Sequence, residues 1–443
     1  RTGFRRCVMT SCRLLAVALV WVLAAGRAWG AAPPTPAAPL LPDTAALTLP
    51  QAEARFLDHN LALLAQKYAI SAAQAQIVQA RVWDNPTVYV EQNAWNPRTE
   101  RYFDTGPTGN TALQVTQLFA LAGRRKLAGR VAEQAALTQQ FSLQDLLRTL
   151  RYQLRSTFYD LYFGQRSLAV YDREIGVIGR TVALYQEQVD KGNKALKEVI
   201  RLRAFLFQLQ NERQDVWRQT VQQQADLAVL LNDQPARIYR PLADPAALGR
   251  LGLSAAPTPD ALADSAEAHR ADVLAQRAAV GQQAQNVRLQ HALAAPDLAL
   301  GYEYDRSGNF IPNYNAVSVG VAVPIFNRNC GNIRTAQAQL AAAQTTLTQQ
   351  QTQARTDVAA AYAQAAETDR LYQSAGPRSG EFDKLMADIE SSYARRSLSL
   401  LEFLDLYESY TQDQVQRNQL GANRLRAFES LNLAVGRLVV AAP

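Results

Sequence analysis

The side chains of this chain that are capable of chemistry are few, and they stand apart. His59, His269, His291 and Cys330 sit far from one another in the sequence, whereas a metal site needs three or four such groups at ligand spacing. Met9 lies near the start, and two methionines in all cannot form a thioether relay for copper. Gly106, Gly109, Gly301 and Gly308 belong to loops or strands rather than to a phosphate-binding loop ahead of a helix. No catalytic triad, metal set or phosphate cradle can be assembled, so the expectation is a chain that is not an enzyme, with no cofactor and no metal site. What remains is charge. Glu402 and Asp405 lie three apart on a helix, and two polar breaks interrupt long helical stretches, at Lys191-Gly192-Asn193-Lys194-Ala195-Leu196 and at Arg395-Arg396-Ser397-Leu398-Ser399. Taken alone, the first is a solvated helical face and the others are solvated interhelical turns.

The elements that position these groups occur twice. Shifted by 210 positions, Leu64-Ala65-Gln66-Lys67 falls on Leu274-Ala275-Gln276-Arg277, His59 on His269, and Pro86 on Pro296. Each copy reads as helix, proline stop, two alternating strands and a very long helical hairpin. The first repeat spans 51–234. Its opening helix from Pro50 to Val82 carries Leu57, Leu61, Leu64, Tyr68 and Ile70 as an apolar stripe; its strands fall at about 87–95 and 111–119, and its hairpin turn near 192. The helices on either side of that turn come to roughly 70 and 40 residues, the longer reaching on the order of 100 Å. A Pro/Gly/Ala-rich connector covers 235–259. The second repeat, 260–443, has strands at about 297–305 and 316–324 and a turn near 396. An offset of 204 aligns the two hairpins, with Leu196 on Leu400 and Leu202 on Leu406.

Ahead of the repeats, Arg13, an apolar run from Leu14 to Ala25 and the small residues around Ala28-Trp29-Gly30 read as a secretory signal over 1–30. No cysteine follows the cleavage region, so no lipid anchor is expected there. Residues 31–50 form an Ala/Pro-rich leader, flexible or extended. Removing Arg1, Arg5, Arg6, Arg13 and Arg27, with no acid among them, takes the formal charge from +7 to +2. A near-neutral mature chain gives no support to nucleic-acid binding. Cys7 and Cys12 leave with the signal, so no intrachain disulfide forms.

Four strands of roughly nine residues match the reach of a tilted membrane strand. Val317, Val319, Val321 and Val323 alternate with Ser318, Gly320 and Ala322, one face branched and apolar, the other small or polar. The same alternation also suits half of a soluble β-core. Four strands cannot close a channel, since the smallest membrane barrels have about eight. Sharing strands among copies would close one, with two, three or four copies all admissible. The expected fold is mostly α with a membrane β-barrel, four strands per chain entering a shared barrel above helical tunnel hairpins. Tyr89, Trp95, Tyr102, Phe103, Tyr302, Tyr304, Phe310 and Tyr314 suit an interfacial aromatic belt.

With these elements in order, the chain resembles the TolC family of outer-membrane efflux proteins. The resemblance is carried by Ala80-Arg81-Val82-Trp83-Asp84-Asn85-Pro86, by Gln117-Leu118-Phe119-Ala120-Leu121-Ala122-Gly123-Arg124-Arg125, by Val323-Pro324-Ile325-Phe326-Asn327-Arg328 and by the two hairpin turns. It implies a homotrimer with a twelve-stranded barrel in the outer membrane of a Gram-negative cell and a helical tunnel in the periplasm. It also implies a periplasmic adaptor (membrane fusion) protein and an inner-membrane pump of the proton-driven resistance-nodulation-division type. On this resemblance Lys191, Gly192, Asn193, Lys194, Glu198, Arg395, Arg396, Ser397, Leu398 and Ser399 would be adaptor contacts or the duct entrance. Glu402 and Asp405 would stand at the tunnel constriction, where a symmetric ring of carboxylates favours cations. Some family members lock the closed entrance with an arginine on the second hairpin paired to an acid on the first. Glu198 matches the acid, but Leu398 occupies the arginine position, leaving Arg395 or Arg396 as substitutes. The segment ending Ala122-Gly123-Arg124-Arg125 is most similar to the CzcC-like heavy-metal cation efflux branch, which implies nickel, cobalt, zinc or cadmium as cargo. The alternatives are a duct for drugs or secreted proteins and, in another class, a periplasmic coiled-coil adaptor or scaffold.

Overall fold

The structure, a computed structural model, describes residues 44–233, 237–253, 256–307, 311–376, 384, 388–389, 391 and 397–440. Two short strands clip the repeats together: β1 (Thr44–Thr48) pairs in parallel with β6 (Ile238–Leu242). Residues 44–48, expected as part of a leader, are therefore structured, and helix α1 (Leu49–His59) starts at once behind them, with Pro50 in its first turn where a missing N–H costs nothing. The connector likewise contains β6 and a short helix, α5 (Pro245–Arg250), rather than irregular chain alone.

The expected helix from Pro50 to Val82 is two helices. Asn60 leaves the helical region (φ −65°, ψ 120°) and caps α2 (Leu61–Gln79), its Oδ1 accepting from the Ala62 and Leu63 amides at 3.0 and 3.1 Å. The second repeat breaks at the same place: Arg270 (φ −61°, ψ 130°) separates α6 (Pro259–His269) from α7 (Ala271–Ala292). His59 and His269 end α1 and α6, and each has Nδ1 3.1 Å from the carbonyl four residues back. A carbonyl only accepts, so both histidines are helix-end groups with Nδ1 protonated. The apolar stripe expected along this run is not the buried face: Leu63 is buried, while Leu57 of α1 and Leu61, Leu64 and Tyr68 of α2 are exposed.

Strands β2 (Thr87–Gln92), β5 (Thr111–Phe119), β7 (Leu298–Asp305) and β8 (Tyr314–Val321) form one antiparallel sheet in the order β2-β5-β7-β8. The first strand ends earlier than expected, because Trp95–Asn96 (β3) turns off to pair with Arg101–Tyr102 (β4). The fourth runs 314–321 rather than 316–324; Pro324 has no N–H for a ladder. Gly308 and Phe310 lie outside the described residues. Below the sheet run α3 (Arg124–Asp190, 67 residues), α4 (Leu196–Leu231, 36 residues), α8 (Cys330–Ser374, 45 residues) and α9 (Leu400–Val435, 36 residues). At 1.5 Å per residue α3 is about 100 Å long.

The core divides into two clusters. One lies around β1, β6 and the middle of α3, with Phe56, Phe158, Tyr159, Leu431 and Val435. The other lies toward the hairpin ends, with Tyr171, Ile178, Phe205, Leu209, Phe403 and Tyr407. Three buried arginines cross-brace the first region. Arg155 pairs with Glu53 (2.6 Å) and Glu429 (3.2 Å), Arg270 with Asp272 (2.7 Å) and Asp357 (2.9 Å), and Arg424 with Asp369 (2.7 Å). The repeat is preserved down to single bonds. Gln66 Nε2 donates to the Gln139 carbonyl at 3.3 Å, and its counterpart Gln276 Nε2 to the Ala343 carbonyl at 3.2 Å.

Candidate functional site: hairpin ends and a two-faced sheet

At the first hairpin end the chain reverses through a left-handed glycine. Gly192 (φ +72°) follows the α3 C-cap Lys191; its amide donates to the Val189 carbonyl at 2.9 Å, and the Asn193 amide to the Gln188 carbonyl at 2.8 Å. These two bonds satisfy carbonyls that the helix end would otherwise leave open, in the Schellman arrangement. Asn193 Nδ2 adds a bond to Gln188 Oε1 at 3.0 Å. Lys191 pairs with Glu187 on the exposed surface. Lys194 stands 3.4 Å from the Glu198 carboxylate and 4.9 Å from the centre of the Tyr185 ring. Glu198, the acid matched to an entrance lock, thus has its cation on its own hairpin.

The second hairpin end is a helix start. Ser399 caps α9: the Glu402 amide donates to Ser399 Oγ at 3.2 Å, and the Ser399 amide donates to Glu402 Oε2 at 2.9 Å. This reciprocal box satisfies two helix-start donors. The Ser399 backbone amide, and then its side chain, hold the Glu402 carboxyl below the ordinary carboxylate range. Leu398, one residue before the cap, and Phe403, the fourth of the helix, belong to one apolar cluster, as in a hydrophobic staple. Leu398, where the resemblance implies an arginine, instead packs against this cluster. Ser397 is exposed, and Arg395 and Arg396 lie outside the described residues. Asp405, one turn beyond the box, is exposed and has no hydrogen-bond or ion-pair partner among the described residues. The two acids are therefore unequal: Glu402 holds a helix end and Asp405 is free. The i, i+3 spacing of Ser399 and Glu402 carries this capping signal in the sequence, and the reading of the acids as a pair passed over it. Gln208 Nε2 to Glu408 Oε1 (3.0 Å) and Arg173 Nη2 to the Tyr410 hydroxyl (3.1 Å) bind α9 to the first hairpin.

At the other end, strand register sorts the sheet into two faces. Val88, Val115, Tyr302 and Val317 form one cross-strand row, and Phe119, Leu298 and Val321 another. Alternation places these rows on the same face. The opposite face carries Thr87, Thr116, Gly301 and Ser318 in one row and Tyr89, Gln114, Glu303 and Ala316 in the next. The apolar face is open: Val88, Val90, Val317, Val319 and Tyr302 are exposed. β2 and β8 are the unpaired edges of this four-stranded sheet. Aromatic residues flank it at both ends. Trp83 meets Phe119 edge to face at 5.8 Å under the Arg125 guanidinium (3.5 Å), and Trp95 lies 4.7 Å from Tyr102. Among the described residues no helix is long and apolar enough to cross a membrane, and no group of three His, Cys, Asp or Glu is placed to hold a metal.

A strand sheet with one open apolar face, carried on helices that reach about 100 Å away from it, defines a membrane-seated conduit component. The chain belongs to the outer membrane efflux protein family, whose pattern matches residues 54–233 and 262–437. Members of that family are transport ducts and not enzymes. Comparison with curated protein sequences gives no match. Among solved structures the chain is similar to the Campylobacter jejuni CmeC outer membrane channel, with a TM-score of 0.73, 12% identity and coverage of 88% and 85% of the two chains. It is also similar to a membrane protein from Pseudomonas aeruginosa (TM-score 0.71, 20% identity, 88% and 90% covered) and to the outer membrane protein VceC from Vibrio cholerae (TM-score 0.68, 18% identity, 88% and 96% covered). At these identities the likeness is one of fold.

Proposed function

We propose that this chain is the passive exit duct of a tripartite efflux system for divalent heavy-metal cations such as nickel, cobalt, zinc or cadmium. The observation that carries the duct reading is the open-edged, two-faced sheet. β2 and β8 run in opposite directions, so β8 of one copy can continue antiparallel onto β2 of the next, and three copies close twelve strands with the apolar face outward. Closure also removes the unpaired edge groups that lipid would penalise by several kcal/mol each. Residues 1–30 serve as the export signal. The hairpin ends from Lys191 to Glu198 and from Arg395 to Ser399 meet a periplasmic adaptor, which links the duct to a proton-driven pump of the resistance-nodulation-division type.

The metal assignment rests on the resemblance around Ala122-Gly123-Arg124-Arg125 and on Asp405, the free carboxylate near the hairpin end. One Asp405 per copy gives a ring that attracts cations without holding them. Survival of a deletion strain is the test, across nickel, cobalt, zinc, cadmium and copper salts beside a panel of hydrophobic drugs. Metal sensitivity restored by the intact gene is the expected result. Drug sensitivity with normal metal tolerance overturns the cargo and keeps the duct; wild-type behaviour toward both overturns the efflux reading.

A further inference from the structure

The lower rim of the sheet, where strands give way to helices, carries charge that the chain does not neutralise. In the last turn of α7 and around the starts of α3 and α8, Arg125, Lys126, Arg130, Arg288, Arg328 and Arg334 have no carboxylate partner among the described residues. Of the acids nearby, Glu133 is paired with Arg81 and Asp297 with Arg124, which leaves Asp84 against these cations. Apolar side chains stand open along the same rim: Trp83 is 55% exposed and Phe326, in the loop after β8, 99%. A surface both cationic and apolar matches the layer where acyl chains meet headgroups.

The two characters meet at Arg125. Strand register puts Phe119 on the outward apolar face, in the last row with Leu298 and Val321. Trp83 packs on Phe119 edge to face at 5.8 Å, and the Arg125 guanidinium lies 3.5 Å from the centre of the Trp83 ring. The stack holds this cation just below the apolar face and on the same side of the sheet. A guanidinium seated on a ring keeps its N–H donors at the free edge, in the fork that a phosphate accepts two at a time. No group of the chain takes them: Arg125 has no hydrogen-bond or ion-pair partner among the described residues, whereas its neighbour Arg124 is paired with Asp297.

The internal repeat shows that the position need not be charged. The offset of 204 puts Asn329 at the place of Arg125, and the offset of 210 puts Leu293 at that of Trp83. Asn329 Nδ2 donates to the Gln290 carbonyl at 2.7 Å and so ties the start of α8 to α7. The second repeat uses the position for an internal bond; the first leaves a supported cation facing out. Depth agrees with a headgroup partner. The eight residues of β7 run about 26 Å along the strand. At the usual tilt that is roughly 20 Å across a membrane, against an apolar band of about 25 Å. A group directly below the last outward row therefore lies at the boundary of that band.

We propose that the Trp83–Arg125 stack binds the phosphodiester of an anionic phospholipid in the leaflet next to the helices, with Trp83 against the upper acyl chain and Lys126 and Arg328 adding to the local positive potential. This inference rests on the duct reading, which puts the rim at the membrane boundary. It adds a lipid class that seating alone does not require, since an apolar strand face needs only acyl chains.

The test uses the full chain in vesicles, with Trp21, Trp29, Trp95 and Trp217 replaced by phenylalanine so that Trp83 alone fluoresces. Quenching by phosphatidylcholine brominated on its acyl chains is compared with quenching by equally brominated phosphatidylglycerol. Both should quench Trp83, and phosphatidylglycerol should be favoured about fivefold, the attraction of one basic side chain for an anionic surface. Arg125→Gln should abolish the preference and leave quenching by phosphatidylcholine unchanged. Lys126→Gln, outside the stack, should keep most of the preference, and millimolar inorganic phosphate should not reduce it. A parent without preference, equal loss in the two variants, or displacement by inorganic phosphate overturns the site. So does an Arg125→Gln chain whose assembled mass in detergent falls, because the cation then serves a carboxylate of a second copy. A chain that does not float with vesicles of either composition overturns the duct reading itself.

Discussion

Arg424 tests how the second repeat is held to the connector. Its buried guanidinium donates from Nε to Asp369 Oδ1 at 2.7 Å, from Nη1 to the Leu248 carbonyl at 3.1 Å, and from Nη2 to the Leu251 carbonyl. It also lies 4.1 Å from the Tyr372 ring centre and 5.1 Å from that of Phe428. One side chain therefore joins α8, α9 and the connector around α5. Arg424→Met keeps the bulk and removes the charge and the donors. Asp369 is left in the interior with only the Leu253 amide at 3.3 Å, and stripping one partner from a buried pair costs about 3–5 kcal/mol. Adding Asp369→Leu removes the orphaned charge. Leu248 lines a cavity of about 420 Å³, and water entering there could replace the lost donor to its carbonyl. The Leu251 carbonyl then sets the residual cost, about 1–3 kcal/mol. The double variant should therefore be more stable than the single one. Urea unfolding of the detergent-solubilised protein, followed by far-ultraviolet circular dichroism, reads the helical part where the change sits. A single variant within about 1 kcal/mol of the parent, or a double variant less stable than the single, would refute the assignment of Arg424 as the tie.

Three further outcomes are expected. Asp405→Asn should lower cation preference in single-channel recordings, while Glu402→Gln should leave it unchanged, because glutamine still closes the capping box with Ser399; equal effects would return both acids to one ring. Asp104, between β4 and β5, accepts from the Gly106 amide, Thr99 and Asn96 at 2.8 Å each and from Thr108 at 3.1 Å, and these bonds lower its pKa to about 2. A depressed carboxyl stabilises its loop fully above the unfolded value of about 4 and loses that contribution as pH falls through about 2. Pepsin at pH near 4 should therefore spare the parent loop and cut it in Asp104→Asn, and equal cutting would sink the idea. In Gly421→Ala the new Cβ would sit 2.7 Å from the Phe163 ring, so overpacking of about 1–3 kcal/mol should cancel or exceed the roughly 1 kcal/mol of helix propensity gained, as chemical denaturation would register.

Much of this architecture was legible because it is written in local signals. The alternation of Val317, Val319 and Val321 marked β8, and the Gly192 turn marked the first hairpin end, since each depends on neighbours within a few residues. Places where tertiary contacts outvote local pattern were not legible. Asn60 reads as an ordinary polar residue in a helical run until its Nδ2 is seen to donate to the Leu230 carbonyl 3.0 Å away, across 170 residues. That bond, together with its cap of α2, is what breaks the run. Glu402 and Asp405 look alike in sequence, and only Ser399 makes them differ. Leu398 appeared as a missing arginine, whereas its reason lies in the cluster around Phe403.

The α2 stripe shows the deeper limit. Leu61, Leu64 and Tyr68 announce that this helix has an apolar partner, and the periodicity is the same whether that partner is one's own α3 or a helix of another molecule. Sequence pattern fixes the existence of a contact and is silent on whose surface completes it. The fold removes that ambiguity by using up candidates. α7 covers one side of α3, α9 and α4 pack along it further down, and β5 and β7 are paired on both edges. What is left open is the side of α2 turned away from α3, where Leu61, Leu64 and Tyr68 are exposed, and the two strand edges β2 and β8. On the proposed duct, the unpaired edges β2 and β8 are where copies of the chain would meet, and neither edge in the sequence says which strand completes it.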